Sequence, residues 1–325
     1  MKRRELGLAL LAGWPGWAPA PAGAQARSPR VAWVSALGAG AGAPLLLAFR
    51  QGLQAQGWGD DRLVLDPWWL DGGADRLKTV WPELQASRPD IVVAASGLLV
   101  RPLVDAGVSV PLVFVHSADV VQARLVDSWA RPGVNRTGVS LFSLELLPKR
   151  LELLQRLLPR ARRVALVGWP PHGGETLELQ AARDAADRLG LAHQYHGVTT
   201  PTELAAAFDA IATWRADAVL VFAGAVASSH AERFATFAAR QRIPAVSAWA
   251  PFAEAGNLMS YGPVLHDSYA RLASFVDRLL QGARAAELPV EQPTRFELVI
   301  NQQAARALGL TVPRELLLRA DRLIG

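Results

Sequence analysis

The 325-residue chain contains no cysteine. That absence excludes disulfides, thiolate metal centres and cysteine nucleophiles. It also leaves no thiol to which a lipid anchor could be attached. Histidine is scarce: His116, His172, His193, His196, His230 and His266 are scattered, and no H-E-x-x-H spacing occurs among them. His193 and His196 share one strand candidate, where a three-residue separation puts them on opposite faces. Long apolar runs are missing after the N-terminus. Each is broken within about a dozen residues, too short to span a bilayer. Charged residues make up 19% and hydrophobic ones 51%, so there is apolar surface enough for a packed core, and this is not the composition of a disordered chain.

What is present begins with a leader. Lys2, Arg3 and Arg4 precede the apolar run Leu6–Ala12, and a small-residue exit follows at Ala22-Gly23-Ala24 or Ala24-Gln25-Ala26. This order predicts a secretory signal over Met1–Ala26 and a mature chain that is periplasmic, soluble and not lipid-anchored. Arg3-Arg4-Glu5-Leu6 also resembles a twin-arginine signal, which leaves the export route open.

Beyond the leader, strand-like and helix-like segments alternate. Arg30–Ala36, Asp90–Ala95, Val110–Val115, Arg163–Gly168, Ala218–Phe222, Pro244–Ser247 and Leu258–Tyr261 read as strands. Several are valine-rich, the mark of strands buried on both faces. Pro44–Gln56, Leu98–Ala106, Leu146–Leu158, Thr176–Leu189 and His230–Arg240 read as helices. A break at Ala130–Ser143 separates two such series. The expectation is an α/β chain of two Rossmann-like lobes with parallel sheets, and a ligand cleft between lobes. In open parallel sheets ligands meet the carboxyl ends of the strands, where helix N-termini leave backbone N–H groups unpaired. Here those loops are Leu37–Gly42, Ser96-Gly97, His116–Asp119, Trp169–Gly174, Ala223–Ser228 and Ala248–Phe252.

Several chemistries compete for these loops. Gly38-Ala39-Gly40-Ala41-Gly42-Ala43 satisfies the G-x-G-x-x-A form of a dinucleotide fingerprint, with Asp66 closing the next strand candidate. A run of only Gly and Ala matches that form easily, and a flexible cleft loop is the plainer reading. Gly138-Val139-Ser140-Leu141-Phe142 starts like a nucleophile elbow but lacks the second glycine. Arg160, Arg162 and Arg163 sit at a helix end, where the dipole favours cations. No aromatic interleaving accompanies them, so no nucleic-acid partner is expected. Tryptophan is abundant, at 11. Trp58, Trp68, Trp69 and Trp81 suit packing of the first half, whereas Trp169 and Trp249 fall just after strands, where an indole offers a stacking face and one N–H donor.

The run Arg131-Pro132-Gly133-Val134-Asn135-Arg136-Thr137-Gly138-Val139-Ser140 resembles bacterial ABC-transporter substrate-binding proteins of the tryptophan/tyrosine-permease-associated kind. So do Lys149-Arg150-Leu151-Glu152-Leu153-Leu154, Leu258-Met259-Ser260-Tyr261-Gly262, the stretch Gln292–Asn301 and the ending Ala307–Pro313. The resemblance covers essentially the whole mature chain and implies a type I periplasmic-binding-protein fold. It divides the chain into lobe one (30–141 plus 262–288) and lobe two (142–261 plus 289–325), joined by three crossings. It implies a monomer that binds a small organic molecule and hands it to an ABC permease in the inner membrane, without cofactor or catalysis. Presentation of the ligand to a membrane sensor, and a dinucleotide-dependent enzyme, are the alternatives. Ligand contacts are expected from Ser35, Gly38, Ser96, Gly97, Ser117 and Asp119 of lobe one. Trp169, His172, Gly224, Trp249 and Tyr261 are expected from lobe two. Asp119 and Ser96 are read as polar anchors and the two indoles as walls; in the competing reading Asp119 caps a following helix and the indoles pack internally. Gly224 stands where many members carry a carboxylate or amide.

Overall fold

The computed structural model describes residues 27–71, 73–141, 143–170 and 174–325. The leader expected over Met1–Ala26 lies outside them. β1 (Arg30–Ser35), β2 (Val64–Trp69), β3 (Ile91–Ala94), β4 (Leu112–His116) and β5 (Arg136–Ser140) form one sheet in the order β2-β1-β3-β4-β5, parallel throughout. Its crossover helices are α1 (Ala39–Ala55), α2 (Asp75–Ala86) and α3 (Gly97–Asp105). Alternate strand residues serve different cores. Val31 and Trp33 pack with Phe49 of α1, whereas Ala32 and Val34 pack with Leu77 of α2 and Leu99 of α3. This is the period-2 geometry of a sheet covered on both faces.

After β5 the chain enters α4 (Ser143–Leu157) and builds a second βα series. Its elements are β6 (Arg163–Gly168), α5 (Glu175–Arg188), β7 (Ala192–Gly197), α6 (Pro201–Trp214), β8 (Ala218–Val221), α7 (Ala225–Gln241), β9 (Ala245–Ser247), α8 (Ala250–Glu254) and β10 (Met259–Pro263). α9 (Leu265–Leu280) then returns to the first sheet, packing so closely on α1 that a Cβ on Gly52 would lie 2.4 Å from the Ala270 carbonyl oxygen. The chain finally recrosses to β11 (Phe296–Asn301), α10 (Gln302–Ala307), α11 (Arg314–Arg319) and β12 (Arg322–Ile324). The second sheet runs β12-β11-β10-β9-β8-β6-β7.

Three differences from the expected pattern have physical causes. β10 and β11 are antiparallel, so the second sheet is mixed rather than parallel. The reason is that β11 enters from the first sheet at the carboxyl end of β10 and runs back along it. α1 starts at Ala39, so Ala39–Ala43 is helix behind an N-cap at Gly38 rather than a flexible loop. Gly42 is needed there because a Cβ would lie 2.3 Å from Cζ3 of Trp69. Finally, β5 lies inside the stretch expected as a break. It carries no strong apolar run, and its place beside β4 depends on backbone approach at Gly138.

The chain passes between the sheets three times: after Leu141, at Val264, and between Glu291 and Phe296. Before the last passage Glu291 is still a strand partner of β5, its N–H donating to the Gly138 carbonyl and its carbonyl accepting from Ser140 N–H, both at 2.9 Å. Its carboxylate meanwhile accepts from Arg271 of α9 at 2.5 and 3.0 Å.

Candidate functional site

The first two passages leave from the carboxyl ends of β5 and β10, and the third enters β11 beside the carboxyl end of β10, so the loops at those strand ends lie next to the passages. On the first sheet, Ser96 is the N-cap of α3 and its hydroxyl makes no capping bond. The next backbone N–H groups, at Gly97 and Leu98, belong to the unpaired first turn of that helix and suit an anionic or carbonyl acceptor. Beside them His116 is buried. Its Nδ1 accepts from Ala118 N–H at 3.1 Å, and burial lowers its pKa to about 4, so the ring is neutral. The Ser140 hydroxyl donates to the Ala118 carbonyl at 3.2 Å and ties this loop to β5.

Asp119 follows. Its Oδ1 accepts from the N–H groups of Val121 and Gln122 at 2.8 and 2.9 Å. Among the described residues Oδ2 has no hydrogen-bond partner. Glu145, in the first turn of α4, lies within electrostatic reach of it. Burial raises the Glu145 pKa, its own N–H works against that, and the Asp119 charge adds to the rise. Two carboxylates thus act on the same region beside the first passage, an arrangement that favours a cation.

The second sheet contributes Trp169, half-buried against a cluster that includes Val167, Val198 and Leu204. It also contributes Trp249, the N-cap of α8. Trp249 packs not on its own sheet but on the first-sheet cluster of Trp33, Phe49 and Tyr269, and its Nε1 is buried without a partner among the described residues. An indole rooted in one half and packed on the other is the clearest contact between them. Gly224, the N-cap of α7, has φ +141 and open space where a side chain would sit. A backbone conformation that only glycine holds comfortably accounts for the residue there.

Beneath this surface lies a buried charge network. Arg150 of α4 is fully buried and its Nε donates to the Tyr261 carbonyl at 2.8 Å. Burial lowers its pKa to about 10 against the pull of Glu178. Glu178 of α5 is pushed up to about 8 by burial and then by Glu175, with Arg150 opposing. Glu175 is raised by burial, although the Tyr195 hydroxyl donates to it at 2.5 Å and the backbone at Trp169 also opposes the rise.

The family model for ABC transporter substrate binding proteins matches residues 46–324. The chain belongs to that family. A tyrosine-binding protein of Clostridioides difficile (strain R20291) is 20% identical over 263 residues, 81% of this chain and 75% of the relative. Among solved structures, a conserved domain protein from Vibrio cholerae shares 24% identity at a TM-score of 0.85, over 91% of this chain and 100% of that one. An ABC domain from Streptococcus pneumonia in complex with L-Trp shares 22% at 0.85, with the same coverage. A ligand-free, open substrate binding protein from Clostridium difficile shares 20% at 0.66, over 91% and 99%. These likenesses establish the two-lobed, type I periplasmic-binding-protein fold.

In this substrate-binding protein, Gly38, Ser96, Gly97, Ser117, Asp119, Trp169, Gly224 and Trp249 each follow a strand at its carboxyl end. Ser35 ends β1 but is 1% exposed, and its Oγ accepts from Leu37 N–H at 3.1 Å, so its hydroxyl serves the turn. Tyr261 sits mid-strand and packs into the cluster beneath α4 and α5 rather than at the strand ends. His172 lies outside the described residues. Asp66 is also mid-strand, beside Arg30 at 3.4 Å, which removes the carboxylate a dinucleotide fingerprint would place at the strand end. Asp71, close enough that a Cβ on Gly38 would lie 2.9 Å from its Oδ1, was not anticipated. Neither were Glu145 and Glu175. Asp71 and Glu145 each follow a strand by a few residues, and that position alone was a signal. Among the described residues no helix is long and apolar enough to cross a membrane, and no group of three or more His, Asp or Glu could hold a metal ion.

Proposed function

We propose that the protein is the periplasmic receptor of an ABC importer, without enzymatic activity. It closes its two lobes on a small ring-bearing, amino-acid-like solute and delivers it as a monomer to a permease in the inner membrane. Trp249 carries this reading: a side chain from the second half, packed on the first with an N–H unpaired among the described residues, can sense whether the halves are apart. The α3 N-terminus suits a carboxylate, Trp169 and Trp249 suit a ring, and Asp119 with Glu145 suits an ammonium. That last pair answers the missing charge at Gly224. The tyrosine-binding relative and the L-Trp complex support the same ligand class. Flexing is assigned to the three passages, with 30–141 and α9 moving against 143–263 and the C-terminal strands.

Titration calorimetry with L-tryptophan and L-tyrosine tests the site. Asp119→Ala is expected to weaken binding by about 1–3 kcal/mol, the usual cost of losing a charged hydrogen bond. Trp249→Ala should weaken binding and abolish ligand-induced change in tryptophan emission. An Asp119→Ala variant that melts earlier yet binds normally would leave Asp119 as a turn cap only. Export is tested separately, by N-terminal sequencing of the periplasmic protein. A start near Gln25 or Arg27 is expected, and an intact Met1 in the cytoplasm would overturn it.

A further inference from the structure

We propose that Glu175 and Tyr195 are positioning residues for Trp169, and that through it they set the affinity of the cleft for aromatic rings; this rests on Trp169 being a cleft wall. The geometry starts with two glycines. Gly168 ends β6, Gly197 ends β7, and the two are register partners across the parallel pair. Neither position has room for a side chain. A Cβ on Gly168 would lie 1.8 Å from Glu175 Oε1 and 2.9 Å from Phe222 Cδ2. One on Gly197 would lie 2.6 Å from Pro170 Cγ and 3.1 Å from Tyr195 Oη. Together they open a slot at the edge of the second sheet, and three groups fill it: the Glu175 carboxylate, the Tyr195 hydroxyl and the Pro170 ring.

Those groups bracket Trp169. Against the residue before it, Gly168, packs the Glu175 carboxylate, whose Oε1 accepts from Tyr195 Oη at 2.5 Å. The residue after Trp169, Pro170, is seated against Gly197, beside which the Tyr195 hydroxyl also lies. The main chain is therefore fixed on both sides of the indole. The ring itself is half-buried against the cluster around Val167 and Val198. Glu175 is 7% exposed, and its burial pushes the carboxyl toward the neutral form. A buried carboxylate is a weak source of stability, and what such a group fixes well is geometry. Its backing is equally committed. Glu178 stands one turn along α5 and interacts with Arg150, which bonds the strand leading to the second passage.

The clamp is tested with Tyr195→Phe, which keeps the ring and loses the donor, and with Glu175→Leu, rescued by Glu175→Gln. Each is made with and without Trp169→Phe, so that differences isolate the emission of Trp169. Acrylamide quenching needs no ligand. Tyr195→Phe and Glu175→Leu are expected to raise the quenching constant of Trp169 on the order of twofold, as a loosened loop exposes it, with Glu175→Gln nearer the parent. L-tryptophan titration supplies the second arm. Tyr195→Phe should weaken binding about 5–10-fold when Trp169 is present, and the loss should vanish in the Trp169→Phe background, because the two act as one unit. Unchanged quenching in folded Tyr195→Phe overturns the clamp, as does an affinity loss that persists without Trp169. If L-tryptophan binds equally well to Trp169→Phe, or does not bind the parent protein, the wall reading of Trp169 falls while quenching still decides the clamp.

Discussion

Arg150→Met is expected to lower the unfolding free energy by about 3–5 kcal/mol, the range for removing one partner of a buried charge pair. The side chain is fully buried and its Nε donates to the Tyr261 carbonyl at 2.8 Å. Methionine fills much of the volume but offers nothing to that carbonyl or to Glu178. The loss should be partly recovered in Arg150→Met/Glu178→Gln, most at high pH, since the amide removes the cost of keeping a buried carboxyl protonated once Arg150 is gone. The pH dependence follows from the sign of the Glu178 shift. Its folded pKa, about 8, is above the ordinary glutamate value of 4.5, so the folded state holds the extra proton and stability falls as pH rises between those values. Without Arg150 the carboxyl is pushed higher still. The deficit of the single variant should therefore widen above about pH 8, where the parent carboxylate ionises against Arg150. Urea unfolding at pH 6, 7.5 and 9 measures all of this. A loss under about 1 kcal/mol, or no recovery in the double variant, would show that Arg150 is not the keystone of the network.

The network was illegible in the sequence for a definite reason. Arg150, Glu175, Glu178 and Tyr195 come from three elements, and on an amphipathic helix a charged residue is by default placed in water. Only the packing of α4 and α5 against β6 and β10 turns these four inward. The Gly168–Gly197 slot is hidden similarly, because it exists only once the β6–β7 register is set. Strand cores behaved differently. β6 was readable to the residue, since a valine-rich run bounded by Arg163 and Gly168 has one natural reading. α1 was readable in its second half, where apolar periodicity starts at Leu45, but its first turns are Gly and Ala and carry no pattern. At Asp119 the residues permitted two roles; Oδ1 takes the capping one, and the ligand role is the one proposed for Oδ2. The family was carried by linear motifs; the site depended on contacts between distant residues.

One of those motifs owes its composition to a single close contact, and a minimal change there should be costly. Gly138→Ala is expected to destabilise the protein by about 2–5 kcal/mol, combining overpacking with backbone strain. Gly138 stands opposite Phe114 in the parallel β4–β5 pair. Its φ is +156, and a Cβ would lie 1.9 Å from the Phe114 carbonyl oxygen and 2.7 Å from the Phe114 nitrogen. Both are backbone atoms inside a buried sheet, so no side-chain rotation relieves the overlap; β5 has to move away from β4. That displacement reaches the passages, because the Gly138 carbonyl accepts from Glu291 N–H and Leu141 lies three residues on. Gly190→Ala is the control. It too has a positive φ, +67, but nothing lies within 4 Å of an added Cβ, so strain alone should cost about 1 kcal/mol. Paired urea titrations of the two variants measure the difference. If Gly138→Ala is no less stable than Gly190→Ala, the approach of β5 to β4 is not what demands glycine. If it is much less stable and binds L-tryptophan more weakly even where it remains folded, the β4–β5 contact sets both the core of the first lobe and the path of the chain into the second.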